Sequence, residues 1–444
     1  MRVGAGGYPY GESGARCIAA SASAMRWSRD LFVSFMRMNT PIRVAVVGYG
    51  TAGQALAVAL SRDGHRIEVF ERVPVPGPVG AGFLLQPTGL SILWALGLLD
   101  AALQHGAVVR RLYGETTGAR PVMDMRYREL HPALFGLGLQ RGALFEMLDV
   151  AWAQDRRIHC GREIVHVDHE RGLLRDDRGD EYGPFDLVAV ADGAASKLRA
   201  GIGEIAFDRP YPWGAQWCLV PSGDWPWPDE LRQRYCHARR MVGMLPVGTR
   251  PGDPTPRLSF FWSLPAVDLP GAGRDEARWR AEVAGIWPDA AQCLRTTAVP
   301  EDLAQARYRD TVVRHWHRGR AVLLGDAAHA MSPQLGQGVN MALADALALR
   351  DALRTSPALP EALNAYQRAR RRHLGIYHFW SRWLTPLFQS EHDRIAGLRD
   401  LLFHPLSRVP GGRGQSLRVL TGTRSGWFGR WPLPAEFLRA LEAR

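Results

Sequence analysis

The chain has 444 residues, 46% of them hydrophobic, enough to bury a large core in two interleaved or successive domains. Its formal charge of +11 rests on 55 basic residues, of which Lys197 is the only lysine; with no dense basic run interleaved with aromatics, no nucleic-acid partner is expected, and Schiff-base chemistry has a single candidate. No apolar run reaches the ~18 residues of a membrane-spanning helix, and the five scattered cysteines, none in a CxxC pair, argue against a disulfide framework or a zinc ribbon.

Residues 1–38 are rich in Gly, Ser, Ala and Arg without sustained period, so they are expected to be disordered. Because fold-like sequence begins at Pro41, Met36 or Met38 is the expected natural start and the upstream segment a gene-model extension; a partner-binding tail is the alternative. From Ile42 onward, IRVAVVG predicts a strand buried on both faces, TAGQALAVALSRDG a helix ending at Gly64, and HRIEVFER a second strand, together one βαβ unit. FDLVAVADG and AVLLGDAAH predict further parallel strands of the same sheet. Between them WGAQWCLVP, MVGMLPVG and LSFFWSLP, separated by Pro and Gly, predict a mostly antiparallel sheet. The expected organisation is a Rossmann-like α/β domain over 39–205 and 311–355, interrupted by a β-sheet domain over 206–310 and followed by a helical region over 356–444.

GYGTAG is a GxGxxG motif placed between a buried strand and a helix. Gly48 permits the tight turn, Gly50 lets the backbone approach a pyrophosphate, Gly53 lets helix pack on strand, and the helix N-terminus favours phosphate. Glu71, 23 residues beyond Gly48, stands where a carboxylate accepts both ribose hydroxyls of an adenosine and repels a 2′-phosphate, so FAD or NAD is expected rather than NADP. Arg72 can pair near the adenosine or simply face solvent.

DLVAVADGAASKLR (Asp186 to Arg199) and GDAAHAMSPQLGQG (from Gly325) resemble signature segments of the flavin-dependent aromatic hydroxylases, the para-hydroxybenzoate hydroxylase and ubiquinone-pathway type. The resemblance spans roughly residues 40–350, with the three motifs in the family's order. It implies FAD as cofactor and NADH or NADPH as co-substrate. It further implies that Asp326 holds a ribityl hydroxyl, that Gly336 and Gly338 admit the isoalloxazine edge, that Asp192 and Gly193 serve FAD and passing NAD(P)H, and that Arg141 reaches the ribityl or pyrophosphate region. A helix starting near Val339 and Asn340 would aim N–H groups at the flavin, where negative charge develops on reduction. In this resemblance the reduced flavin captures O2 as a C4a-hydroperoxide and delivers one oxygen to an electron-rich, apolar, aromatic or polyene-like small molecule; the protein need supply neither nucleophile nor metal.

Pro333 is expected to touch flavin and substrate through its backbone, and His329 to pack rather than to move protons. Trp213, Trp217, Met244, Phe260, Phe261 and Trp262 are pocket-lining candidates, of which strand alternation can turn only about half inward. A flavin halogenase is disfavoured because GDWPWPDE lacks the isoleucine and correctly placed proline of the halogenase motif. A flavin reductase of isoprenoid double bonds and a flavin-binding scaffold without turnover remain the alternatives. The segment YHFWSRWLTPLF is expected to pack on the FAD domain or a dimer partner, with membrane-surface contact as the other reading. A cytoplasmic protein is expected, and a homodimer is left open.

Overall fold

A computed structural model of the protein describes residues 40–77, 80–152, 156–295, 303–407 and 412–444. The 1–38 segment, read as a disordered extension, lies outside them.

The run RVAVV forms β1 (Arg43–Val47), buried from Val44 onward. It pairs in parallel with β2 (Arg66–Glu71) on one side and β12 (Leu187–Val190) on the other. β8 (Arg157–Cys160) extends the sheet beyond β2, and β19 (Ala321–Leu323) extends it beyond β12. β18 (His317–Arg318) closes that edge antiparallel, so six strands run in the order β18-β19-β12-β1-β2-β8. The helices Thr51–Ser61 and Gly338–Thr355 pack against each other over this sheet. Two three-stranded sheets flank it: β3 (Gly82–Leu85), β7 (Gly136–Gln140) and β4 (Ala107–Val109) in one, β9 (Ile164–Asp168), β10 (Leu173–Asp176) and β11 (Glu181–Tyr182) in the other.

The second layer is a seven-stranded sheet, ordered β17-β13-β16-β15-β14-β5-β6. Five of its strands are β13 (Ile205–Pro221), β14 (Glu230–Cys236), β15 (Arg240–Arg250), β16 (Asp253–Pro265) and the edge strand β17 (Ala304–Val313), all antiparallel to their neighbours among these five. This sheet is not confined to 206–310. β5 (Arg111–Thr116) and β6 (Pro121–Arg126) come from the segment assigned to the FAD domain, β5 docking parallel to the free edge of β14. The added edge is held by ion pairs, Arg111 with Asp124 and Glu230, and Arg234 with Glu115.

Register decides which aromatic residues face where. Cys218 lies opposite Phe260 and Phe260 opposite Met244, whereas Trp217 lies opposite Phe261. Met244, Phe260 and Trp262 therefore share the face covered by the helices Glu276–Ile286 and Pro288–Cys293, where they form a second core with Trp279, Val283 and Trp287. All three are 0–1% exposed. They are core residues, which corrects the expectation that they line a pocket. Leu219, Leu245 and Val247 on the other face join the core of the parallel sheet.

The C-terminal region begins with the 30-residue helix Leu359–Phe388, whose inner face buries Tyr366, Arg370, His373, Tyr377 and Ser381. YHFWSRWLTPLF forms its last turns. Phe388 packs with Tyr235 and Met241 of the seven-stranded sheet, while Phe379 and Trp383 stay exposed. The helices Asp393–Ser407, Gly412–Leu420 and Ala435–Glu442 and a hairpin of β20 (Arg424–Ser425) and β21 (Gly429–Arg430) complete the chain. Among the described residues no helix is long and apolar enough to cross a membrane.

Candidate functional site

The β1 to helix turn has the shape a dinucleotide needs. Gly48 sits at φ +102°, and a Cβ on it would lie 2.5 Å from the Ala191 carbonyl oxygen. A Cβ on Gly53 would lie 2.0 Å from the Gly48 carbonyl oxygen, so both positions exclude larger residues. Gly50 is exposed, with nothing within 4 Å of where its Cβ would stand, and heads the helix Thr51–Ser61 without a side-chain cap. The first N–H groups of that helix, lacking intrahelical acceptors, remain available to phosphate. Glu71 is locked at the end of β2: its two carboxylate oxygens accept the N–H groups of Tyr49 (2.8 Å) and Val73 (2.9 Å). Each keeps a lone pair for a ribose hydroxyl. Arg72 is exposed beside Asp192 and Glu163 and makes no closer commitment.

The other two motifs are stitched to each other by Arg199. This side chain, 1% exposed, donates to the carbonyls of Ala194 (2.9 Å), Asp326 (3.0 Å) and Ala327 (2.6 Å) and to the Asp208 carboxylate (2.9 Å). One guanidinium thus fixes the Asp192–Gly193 turn, the start of the Asp326–His329 helix and the first part of β13. Asp192 keeps one carboxylate oxygen buried without a partner, and burial raises its pKa against the opposing pull of Ser196. An orphaned acceptor beside Gly48 is what a ribityl or nucleotide hydroxyl would satisfy.

Gly325 turns the chain at φ +57°, and its N–H donates to Asp345 at 2.7 Å. Asp345 is fully buried and also accepts from His329 Nε2 (2.6 Å) and Arg370 Nε (2.5 Å). Burial pushes its pKa up, but its contacts with His329 and Arg370 outweigh this and hold it at about 2. His329 is 2% exposed and belongs to this buried network, in line with a packing role. Asp326, by contrast, is exposed at the helix N-terminus.

The loop that follows supplies bare backbone. Pro333–Leu335 form a single 3-10 turn, Gly336 adopts φ +60°, and the helix Gly338–Thr355 begins two residues later. Gly336 and Gly338 are exposed, and Val339 is half-buried. The Asn340 side chain is spent inward, accepting from the Gln86 N–H (2.9 Å) and donating to the Leu84 and Gly336 carbonyls (3.3 Å each). Only its backbone N–H is left to serve a cofactor.

Arg141 opens the helix Arg141–Ala151, its guanidinium ringed by protein yet reached by solvent. The surrounding protein lowers its pKa, an effect opposed by Tyr308 and Asp326, so the three groups lie within electrostatic reach. Neighbouring contacts therefore link Gly48 through Asp192, Arg199 and Asp326 to Arg141, and Tyr308 and Tyr211 link Arg141 to the 333–340 loop. Trp217, half-buried on the sheet face opposite the second core, stacks on Phe261 at 4.9 Å and lies beside Tyr308. Trp213 is buried and its indole N–H donates to the Arg239 carbonyl at 3.5 Å. Asp345 carried a sequence signal, a lone acid in the apolar run MALADALAL, and Arg199 was marked as the last residue of the Asp186–Arg199 segment, but its partners, up to 128 residues away, were not readable, and Tyr308, 167 residues from Arg141, carried no signal.

Open glycine backbone at the first turn, a ribose-ready carboxylate, an orphaned acid and a cationic side chain along one cleft fit FAD. The sequence profile described as FAD binding domain matches residues 41–375. Kynurenine 3-monooxygenase of Salinispora arenicola is 30% identical over 80% of this chain and 81% of that protein. The 3-amino-4-hydroxybenzoate 2-monooxygenase of Streptomyces cremeus is 31% identical over 79% of this chain and 89% of its own. The tetrameric form of 2-methyl-3-hydroxypyridine-5-carboxylic acid oxygenase superposes with a TM-score of 0.70 at 25% identity, covering 88% of this chain and all of the other. With fold, cleft and relatives in agreement, the chain belongs to the FAD-dependent aromatic hydroxylase family.

Proposed function

We propose that the protein is an NAD(P)H-dependent FAD monooxygenase that hydroxylates an apolar aromatic small molecule, with the ring held between the 332–336 loop and Trp217. The observation supporting this reading is the chain of contacts that brings the dinucleotide segments beside the Trp217 and Phe261 rings of the seven-stranded sheet. When bound, FAD supplies the redox and oxygen chemistry that side chains lack.

The residues of the chain bind, orient and shield. Glu71 accepts the adenosine ribose hydroxyls, and the N–H groups after Gly50 meet the pyrophosphate. Asp326 and the orphaned oxygen of Asp192 accept hydroxyls of the ribityl chain, and Arg141 offers a fixed cation nearby. The first-turn N–H groups at Gly338, Val339 and Asn340 place positive potential against the ring system, favouring negative charge there. The Pro333 backbone and Trp217 flank the acceptor, and Arg199 holds the two FAD segments and the sheet at one separation. No described group of three or more His, Cys, Asp or Glu could hold a metal ion. Since reduced nicotinamide is the co-substrate, we place the activity in the cytoplasm.

The test is anaerobic stopped-flow reduction of the yellow protein by NADH and by NADPH, with and without a panel of phenols, aminobenzoates and quinolones. A hydroxylase shows reduction accelerated by one aromatic class and that compound oxygenated when air is admitted. Bound flavin whose reduction no compound alters would overturn the reading in favour of a scaffold or a reductase.

A further inference from the structure

Between Asp400 and Glu436 the sequence carries five arginines and no acidic residue. Arg413 reaches back to pair with Glu129. Among the described residues Arg418, Arg424 and Arg430 have no ion-pair partner, and the Arg424 guanidinium donates to no acceptor. They stand beside one another instead. Arg424 lies directly opposite Arg430 in the antiparallel pair of β20 and β21, which turns both side chains to one face. Arg418, in the last turn of the helix Gly412–Leu420, has its pKa lowered by burial and then by the charges of Arg430 and Arg424.

Like charges directly opposite weaken a strand pair, and a buried cation without an acceptor costs more still. Arg424 is 8% exposed, Arg418 half-buried and Arg430 exposed, so the cluster is open to solvent on one side. The backbone holds it in place all the same. The Tyr377 hydroxyl donates to the Arg424 carbonyl (3.0 Å), the Trp431 N–H to the Thr423 carbonyl (2.8 Å), and the Thr421 and Thr423 hydroxyls to the Arg418 carbonyl (3.3 and 3.4 Å). Three guanidinium groups fixed side by side without a carboxylate match the oxygens of a phosphate.

We propose that Arg418, Arg424 and Arg430 form a binding site for a phosphate-bearing anion, separate from the Gly50 turn that meets the FAD pyrophosphate. The neighbours of the hairpin indicate two sources for such a phosphate. On one side the turn before β20 abuts the flavin loop: Gln337 Nε2 donates to the Leu420 carbonyl (2.5 Å) and the Thr88 hydroxyl to the Thr421 carbonyl (2.8 Å). That side suits the phosphates of the reduced dinucleotide co-substrate. On the other, the hairpin tip presents Trp427 and Phe428, 57% and 94% exposed, with Trp427 edge-on to Phe379 at 4.8 Å. Exposed aromatics beside arginines suit a phospholipid headgroup. The site itself does not rest on the hydroxylase reading.

The experiment titrates the FAD-loaded protein with inorganic pyrophosphate, so that the Gly50 turn is already occupied, in about 0.15 M chloride to screen the general attraction of a +11 chain. Heat of binding and melting temperature are followed. The wild type should saturate in the submillimolar range with a rising melting temperature, and Arg424→Gln and Arg430→Gln should each bind at least tenfold more weakly. Arg66→Gln, which removes an exposed arginine of β2, should stay within twofold of the wild type. Without pyrophosphate, Arg430→Gln should melt at the same temperature as the wild type or higher, because a like charge has gone. This exposed position keeps the test open if Arg424→Gln fails to fold.

Two further arms separate the sources. For the dinucleotide, both variants raise KM for NADH or NADPH tenfold or more, with flavin content and the reduction rate at saturation unchanged. For the headgroup, KM stays and co-sedimentation with phosphatidylglycerol vesicles is lost in Arg424→Gln, Arg430→Gln and Trp427→Ser. Pyrophosphate binding that is equal in Arg430→Gln and the wild type, or no saturable binding by the wild type, overturns the proposal. Arginine-dependent pyrophosphate binding with neither arm altered would mark an adventitious ion only and overturns it as well. The hydroxylase reading fails separately, when no aromatic compound accelerates flavin reduction, since the pyrophosphate titration needs no turnover.

Discussion

At Gly48 and Gly50 two neighbouring glycines do different work, and substitution separates them. An alanine at 48 must hold φ +102° and place its Cβ 2.5 Å from a carbonyl oxygen, so the turn has to move. The expected cost is about 3 kcal/mol or more, with loss of FAD. An alanine at 50 meets nothing within 4 Å, and the φ of −78° there suits any L-residue. Gly50→Ala should unfold in denaturant within about 1 kcal/mol of the wild type yet retain markedly less flavin, because only the pyrophosphate approach is filled. Equal flavin content in Gly50→Ala and wild type would show that no phosphate passes there. Buried titratable residues add a pH dependence of definite sign. Burial lowers the pKa of both His373 and His378 to about 3 from an ordinary 6.5, and neighbouring groups (Arg370 for His373, His329 and Arg382 for His378) add to this. Between those values the unfolded chain binds more protons than the folded one, so stability is full above pH 6.5 and falls as pH drops toward 3. Asp345, at about 2 against 3.8, continues the same trend at lower pH. The melting temperature should therefore decline below pH 6.5. His378→Leu, which sacrifices no hydrogen bond at the unpartnered Nδ1, should show a shallower decline, and an identical slope would contradict this account.

At the scale of elements, the seven-stranded sheet assigns opposite tasks to its two faces. Phe260 is fully buried against Trp279 with ring centroids 5.8 Å apart, whereas its strand neighbour Phe261 faces Trp217 across the other side. Phe260→Ala should cost about 3–5 kcal/mol in chemical denaturation while leaving the ranking of aromatic ligands unchanged. Trp217→Ala should cost less stability and alter ligand affinity and the coupling of NAD(P)H oxidation to product. A reversed outcome would mean that the ligand lies on the helix-covered face. The same alternation explains what could be read from the sequence. LSFFWSLP declares a strand, but adjacent aromatics of equal hydrophobicity do not say which face meets the cleft. RLYGET and PVMDMR carry their ion pairs at the sheet edge and contain too few apolar residues to declare membership of a sheet completed more than a hundred residues later. GYGTAG and GDAAH were legible because their turns are made by local backbone, and Glu71 because its distance from Gly48 is fixed by one helix and one strand. Arg199 was legible as the end of its segment, but its role as a joint was not, nor was Tyr308, because what they touch is decided only when distant segments meet.

At the scale of the whole molecule, Arg199 is the joint between cofactor and substrate layers. It binds the two FAD segments through three carbonyls and the sheet through Asp208, which Arg309 and Thr311 also engage. Replacing it by leucine leaves those carbonyls and part of the carboxylate buried without donors, and loss of one partner from a buried network costs about 3–5 kcal/mol. The damage should fall on the alignment of the Asp192 and Asp326 segments, so flavin affinity and stability should decline together. Ligand linkage provides the check, since FAD at 100 times its dissociation constant stabilises the folded state by about 2.7 kcal/mol. Titrating FAD into Arg199→Leu should raise the melting temperature, with half the rise reached at a higher concentration than in wild-type apoprotein. A variant that melts early but binds FAD as tightly as the wild type would show that Arg199 only holds the layers together and does not set the geometry of the cofactor cleft.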